Sequence, residues 1–356
     1  MAKKEVIEGN KSKLQEAMER MNKQYGVGSI LTLDNNNSLE KYDVISSGSI
    51  GFDYITLGTG GWVKGKLYEL MGWEGVGKST ICGHAAAQCQ SIGGKVLYVD
   101  GEHALDKNYF QALGVDTSKM LISQPSSGEE GFNIAEEMIK SGELDLVIID
   151  SDSSLIPKAV LMDGEIGDAS IGKKAKLNSS AYPRLKNALV ESKTCVLVVS
   201  QFREKIGQMF GDPKITQGGH ALKYYSDGRI EITRTLAKEG DEIYGAIIKI
   251  KAIKNKMAPP YKKNAFEIIY GKGIDRYKEL IELGQEYLIL KKWGESITYA
   301  GTKYKIVEFN ILLRDNEEFF EEIKQLLIDK LIHTEDIPIE EISETSGEEL
   351  LLNSSI

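Results

Sequence analysis

Cysteine is scarce: Cys82, Cys89 and Cys195 are the only three in 356 residues, an odd count without metal-ligand spacing. They read as buried thiols in a reducing cytoplasm rather than as ligands or disulfides. No apolar run approaches the roughly eighteen residues a membrane span needs, so no membrane is expected as a partner. The opening MAKKEVIEGNKSK lacks the apolar core of a secretory signal, and a cytoplasmic protein is expected. A basic excess is missing too. The formal charge is -9, which excludes a generally basic coat for nucleic acid. The deficit is local: residues 331–356 carry seven acids and no Lys or Arg, and without them the rest stands at -2. This end reads as a disordered, anion-repelling tail.

What is present is enough for a core, with 41% hydrophobic and 27% charged residues. The length fits one large domain and one or two small ones. Lys11 to Tyr25 reads as an amphipathic helix with Leu14, Met18 and Met21 on one stripe, ended by Gly26 and Gly28. Then short apolar runs alternate with helical stretches. KLYELMG (66–72), KVLYVD (95–100), MLISQ (120–124), LDLVIID (144–150) and TCVLVVS (194–200) look like strands buried on both faces. Ser79–Gln90, Glu129–Ser141 and Lys174–Glu191 look like the helices between them. That alternation predicts an α/β fold around a mostly parallel, twisted sheet. RIEITR (229–234), AIIKIKAIKN (246–255) and AFEIIY (265–270) follow without helices and are expected as an antiparallel edge. From Ile274 a small α/β cap is expected: a short helix, the hairpin SITYAGTKYKI and a helix opening at Asp315-Asn316. No internal repeat is visible.

Residues 72–80, GWEGVGKST, hold Gly-x4-Gly-Lys-Ser between a strand and a helix. Gly72, Gly75 and Gly77 let backbone N–H groups wrap a phosphate. Lys78 brings charge to the β- and γ-phosphates, and Ser79 a hydroxyl for Mg²⁺. The flanking Trp73, Glu74, Val76 and Thr80 complete the candidate ATP-binding segment. A glycine-rich turn would be the bland alternative, and the complete pattern in its required setting argues against it. Asp150 ends LDLVIID, where a carboxylate can hold Mg²⁺, although acids at strand ends are also ordinary turn formers. Glu102 lies past another strand end and could orient or deprotonate a water. Gln201 ends VVSQ, where an amide could touch a γ-phosphate. Two long glycine-punctuated stretches mix basic and apolar residues. One is 163–176, with Ile171, Gly172, Lys173, Lys174 and Lys176; the other is 202–219, with Arg203, Lys205, Ile206, Met209, Phe210, Lys214, Gly218 and Gly219. Such loops suit a nucleic-acid backbone and its bases, though solvated surface loops share the composition.

Together these segments resemble the bacterial RecA recombinase family. MNKQYGVGSI (21–30), ISSGSIGFD (45–53), the phosphate loop, DGEHALD, SQPSSGEE (123–130), IIDSDSSLIPKA (148–159), GEIGD (164–168), QFREKIGQMFGDP (201–213), GGHALKYY (218–225) and IKNKMAPP (253–260) occur in family order over residues 11 to about 330. The resemblance implies a RecA-like P-loop ATPase core with an N-terminal oligomerisation arm and a small C-terminal α/β domain. The implied bounds are 1–39 for the arm, 40–273 for the core, 274–332 for the small domain and 333–356 for the tail. It implies an ATP- and Mg²⁺-dependent helical filament on single-stranded DNA that pairs it with homologous duplex DNA in recombination and repair. By family pattern Glu102 activates water, Asp106 and Tyr109 flank adenine, and Tyr270 with Gly271 touches nucleotide. Gln201 couples the γ-phosphate to the second DNA loop, whose Ile206 wedges between bases. Lys254 and Lys256 reach the ATP of a neighbouring subunit; at i and i+2 on a strand they would share a face. The N-terminal helix docks on the next protomer, and the acidic tail restrains access of duplex DNA. A LexA-type repressor, in the SOS response, and recombination mediators are family partners whose use here stays open.

Some positions depart from the family. Trp73 is bulky for a phosphate loop, Lys176 and Pro183 stand where arginine is usual, and Tyr224 replaces a phenylalanine. The helix-interior proline predicts a kink. Two other classes compete. A ring helicase or clock-type hexamer of the same wider fold would lack the second DNA loop. A P-loop small-molecule kinase is disfavoured by the long 201–225 stretch and the paired lysines.

Overall fold

A computed structural model describes residues 12–27, 29–30, 42–162, 170–204, 214–216 and 218–334. The side chains of Ser170, Ile171 and Thr334 lie outside that description, as do Lys205, Ile206, Met209, Phe210, residues 163–169 and the acidic tail from 335. The chain divides into two compact units, Met1–Tyr42 and Asp43–Ile356.

In the first unit, helix α1 spans Lys13–Tyr25. A capping box starts it: Gln15 N–H donates to Ser12 Oγ (3.2 Å), and Ser12 N–H to Gln15 Oε1 (2.9 Å). Gly26, at φ 106°, ends it. No residue of the helix is buried, and Leu14 of the expected stripe is 70% exposed.

The second unit begins with the short strands β1 (Val44–Ile45) and β2 (Trp62–Val63), which pair with each other. Then come β3 (Leu67–Gly72), α2 (Lys78–Ser91), β4 (Val96–Asp100), α3 (Lys107–Ala112), β5 (Leu121–Ser123), α4 (Gly128–Lys140), β6 (Leu146–Asp150), α5 (Lys158–Met162), α6 (Ser170–Glu191), β7 (Cys195–Glu204), β8 (Lys214–Thr216), α7 (Ala221–Tyr225), β9 (Gly228–Glu239), β10 (Glu242–Asn255), β11 (Lys263–Ile269) and β12 (Gly273–Ile274). The large sheet runs β12-β11-β10-β9-β3-β7-β6-β4-β5, with β8 paired to β7. Strands β9, β3, β7, β6, β4 and β5 are parallel neighbours.

The apolar runs form central strands because each feeds two cores. Leu146, Ile148, Cys195, Leu197 and Val199 face one core; Val147, Ile149, Val196 and Val198 face the other. Alternation of side chains about a pleated strand requires this division. Helix α2 covers the first face through Ile81, Ala85 and Ala86, while α4 and α6 cover the second through Phe132, Ile139, Tyr182 and Leu185.

Two expectations need correction. The antiparallel extension starts one strand later than RIEITR suggests, because β9 lies parallel to β3 and the antiparallel pairings begin with β10 on β9, then β11 on β10 and β12 on β11. The short helix α7 returns the chain to the start of β3, where Asp227 N–H donates to Leu67 O (2.7 Å) and Leu67 N–H to Asp227 Oδ2 (3.0 Å). Second, MLISQ is not buried on both faces: β5 closes the sheet edge, and Leu121 and Ile122 are 46% and 47% exposed. Helix α6 runs through Pro183, from Ser170 to Glu191. Ser179, whose carbonyl loses its helical partner, is exposed and so open to water.

The cap comprises α8 (Arg276–Glu286), a sheet of β13 (Lys291–Trp293), β14 (Ser296–Tyr299) and β15 (Thr302–Lys305), then α9 (Ile306–Asp315) and α10 (Glu317–Thr334). Helix α9 was not expected; Asn316 separates it from α10, its side chain accepting from Phe319 N–H (3.1 Å). A buried carboxylate joins cap to core. Glu279 of α8 accepts from Ser49 Oγ (2.5 Å), Gly51 N–H (3.1 Å) and Ile50 N–H (3.2 Å). Burial raises its carboxyl to about 7 despite these donors. The folded state therefore holds that proton more tightly than the unfolded chain, and the associated stability is lost as pH rises from about 4.5 through about 7. Glu279→Gln removes the titration, so the variant should gain on the wild type between pH 5 and pH 8 by at least about 1 kcal/mol. Thermal melts at both pH values measure this, and a pH-independent gap would contradict it.

Candidate active site

The carboxyl ends of β3, β4, β6 and β7 converge on one cavity of about 290 Å³. Strand β3 delivers the phosphate loop. Its glycines serve different ends. A Cβ on Gly72 would lie 2.5 Å from the Ile232 carbonyl oxygen of β9, so this residue permits strand packing. Gly75 and Gly77 have φ of 68° and 90°, which other residues rarely adopt. Gly77 is the N-cap of α2 and no side chain caps it, so the first N–H groups of that helix face the cavity mouth. Val76 points the other way, into the core.

Lys78 opens α2 and is only 6% exposed. Its ammonium donates to Trp73 O (2.7 Å) and Gly72 O (3.2 Å). Burial holds it below the ordinary lysine range, with Asp150, Glu102 and Glu74 acting against that. Asp150, at the end of β6, accepts from Tyr98 OH (2.6 Å), and the Ser79 hydroxyl also bonds it. Burial nonetheless pushes its carboxyl above the usual range.

Glu102 lines the cavity just beyond β4. Three donors meet at its Oε1: Ser151 Oγ (2.6 Å), Gln201 Nε2 (2.8 Å) and Ser154 Oγ (3.3 Å). Gln201 comes from β7, so residues 99 apart in sequence share one oxygen. Tyr109 and Tyr270 also line the cavity, and Thr80 Oγ1 lies 3.0 Å from Tyr109 OH. Asp106 is occupied as the N-cap of α3, accepting from Asn108 N–H (2.8 Å) and Tyr109 N–H (3.1 Å). Gly271, at φ 75°, forms the turn after Tyr270.

Several lining residues had no sequence signal. Arg234 of β9 donates to the Gly75 carbonyl, and Ile248 and Ile268 form an apolar wall beside Gly77. Ser151 directly follows Asp150, and its place beside Glu102 depends on the parallel pairing of β4 with β6.

Comparison with known proteins gives the family. A family model for the RecA N-terminal domain matches residues 12–275. Protein RecA of Acinetobacter baumannii is 40% identical over 352 residues, 98% of this chain and all of the relative. Protein RecA of Porphyromonas gingivalis is 42% identical over 315 residues, 88% of this chain and 92% of the relative. That of Nocardioides sp. is 42% identical over 321 residues, 89% and 91%. The chain belongs to the RecA family. It is thereby a recombination protein of DNA repair, from a nucleotide- and DNA-binding family.

The two stretches expected to meet DNA are described only at their ends. In the first, Gly172 and Lys176 lie exposed or nearly so on the first turns of α6, while Lys174 turns inward. Asp152, 1% exposed, accepts from Tyr182 OH (2.6 Å), Asn178 Nδ2 (3.1 Å) and Lys174 Nζ (3.3 Å). In the second, Arg203 is exposed on β7 opposite Ile215 of β8. Gly218 and Gly219 have φ of 86° and 80° and press on α6: a Cβ on Gly218 would lie 2.1 Å from Asn178 Nδ2. Both loop bases thus rest on the segment that follows Asp150.

Lys254 and Lys256 lie outside the cavity, and they do not share a strand face. A register shift precedes Lys254, and Lys256 falls beyond the end of β10. Lys254 Nζ donates to Lys223 O (2.9 Å) and Tyr224 O (3.1 Å) at the end of α7, whereas Lys256 pairs with Asp227 (3.4 Å). Among the described residues no helix is long and apolar enough to cross a membrane.

Proposed function

We propose that this RecA-family chain is an ATP hydrolase stimulated by single-stranded DNA, forming helical filaments that pair that strand with homologous duplex DNA and exchange strands. The observation that carries the reading is the Gln201–Glu102 hydrogen bond of 2.8 Å. One partner is the candidate base of a hydrolytic site. The other is the last residue before the second DNA-loop segment, so hydrolysis and DNA are connected through adjacent atoms.

In this reading the α2 N-terminus and Lys78 bind the β- and γ-phosphates of ATP, and Glu102 takes a proton from the attacking water. Gln201 reports the γ-phosphate to β7. Tyr109, Tyr270, Asp106 and Gly271 bound the base side. The donor set fits Mg²⁺: Ser79 and Asp150 offer hard oxygens side by side, and water and phosphate can complete the octahedron. Bound there, Mg²⁺ would neutralise charge that develops on the phosphates. Lys254 and Lys256 serve a neighbouring protomer's ATP. Lys176, Arg203, Lys205, Ile206, Met209, Phe210, Ile171, Gly172, Gly218 and Gly219 belong to the DNA surface.

Strand pairing tests the reading. The protein with ATP, Mg²⁺ and circular single-stranded DNA should form joint molecules with a homologous linear duplex and not with a heterologous one. Unwinding of duplex without a homology requirement would indicate a ring helicase instead.

A further inference from the structure

Trp73 is the departure in the phosphate loop that the nucleotide alone does not explain. It follows Gly72, and Gly72 is the register partner of Gln201 in the β3–β7 pairing. The residues that follow, Trp73 just past β3 and Phe202 on β7, stand side by side. Their rings meet edge to face, with centroids 5.9 Å apart and planes at 70°. Trp73 remains 37% exposed, while Phe202 is 8% exposed.

Phe202 is also the point on which the β7–β8 hairpin closes. It is the register partner of Thr216, and Lys214 Nζ lies 5.6 Å from its ring centroid. Lys214 in turn pairs with Glu231 of β9 at 2.8 Å. At the other end, the carbonyl of Trp73 accepts the 2.7 Å hydrogen bond from Lys78. An unbroken chain of contacts thus runs from the phosphate-binding ammonium, through Trp73 and Phe202, to both strands that flank residues 205–213. It is separate from the Gln201–Glu102 bond, although it ends on the neighbouring residue.

We propose that Trp73 is a positioning residue that couples nucleotide state to DNA affinity through its contact with Phe202. When phosphate draws the Lys78 ammonium away from the Trp73 carbonyl, the 73–74 peptide loses an anchor and the indole moves with it. Phe202, packed on that indole, carries the shift into the hairpin. The inference rests on the function proposed above.

A double-mutant cycle in the full chain tests it. The readout is the ratio of affinities for a fluorescent oligothymidine with a non-hydrolysable ATP analogue and with ADP. Trp73→Ala and Phe202→Leu should each lower that ratio about tenfold, and the double variant should lower it no further than the worse single one. Trp73→Phe, which keeps an aromatic edge for Phe202, should restore it to within about threefold. Losses that multiply to about a hundredfold in the double variant would overturn the coupling, as would Trp73→Phe behaving like Trp73→Ala. If Phe202→Leu does not fold, the Trp73→Phe comparison decides alone. A wild-type protein whose DNA affinity ignores nucleotide would defeat the recombinase reading itself. A nucleotide-dependent wild type with singles unchanged within about twofold would defeat only the role of Trp73.

Discussion

Lys78→Ala should abolish measurable ATP turnover. Among the described residues the ammonium is the one positive charge buried at the N-terminus of α2, and it sits on the carbonyls of Gly72 and Trp73, poised over the loop. Its replacement removes the point charge for the phosphates and a positive charge that acts on Asp150. An interaction of this kind in a water-poor site contributes several kcal/mol, so turnover should fall at least about a hundredfold. Nucleotide binding followed by a fluorescent ATP analogue should weaken in parallel, because phosphate contact is lost before chemistry begins. Turnover within a few-fold of wild type would show that phosphates do not bind this loop.

Glu102→Ala should behave differently, and the contrast is informative. The loss of a general base costs roughly a hundredfold to ten-thousandfold in rate. The phosphate loop, Asp150 and the DNA-loop bases stay in place, so ATP affinity should change only a few-fold. Filaments formed with ATP should then persist instead of turning over. Glu102→Gln sharpens the experiment: its carbonyl oxygen can still accept from Ser151, Ser154 and Gln201, so the network survives without the charge. Normal turnover in Glu102→Gln would remove Glu102 as the base and leave it a structural acceptor. Collapse of ATP binding together with turnover would point to a binding role.

Much of this was legible in the sequence because local pattern and tertiary need coincide. LDLVIID and TCVLVVS are continuous apolar runs since each alternate residue enters a different core, and the phosphate loop is contiguous. Glu102 and Gln201 could be named from strand ends, where α/β sheets place ligands. Their hydrogen bond could not, because it depends on which strands lie side by side. The same holds for Arg234 against Gly75, for Asp152 beneath both loop bases, and for Phe202 beneath Trp73. Direction was the other gap. RIEITR reads as a strand either way, and only the return through α7 makes β9 parallel to β3. Lys254 and Lys256 looked like a face-sharing pair, but a register shift and the strand end part them.

In the proposed function, ATP hydrolysis is tied to DNA through the Glu102–Gln201 contact. The most direct measurement is the ATPase rate of the purified chain with and without single-stranded DNA, with negative-stain imaging of the same samples. A rate that rises at least about tenfold on DNA, with helical filaments present, is the predicted result. An ATPase indifferent to single-stranded DNA, or closed rings in place of filaments, would contradict it.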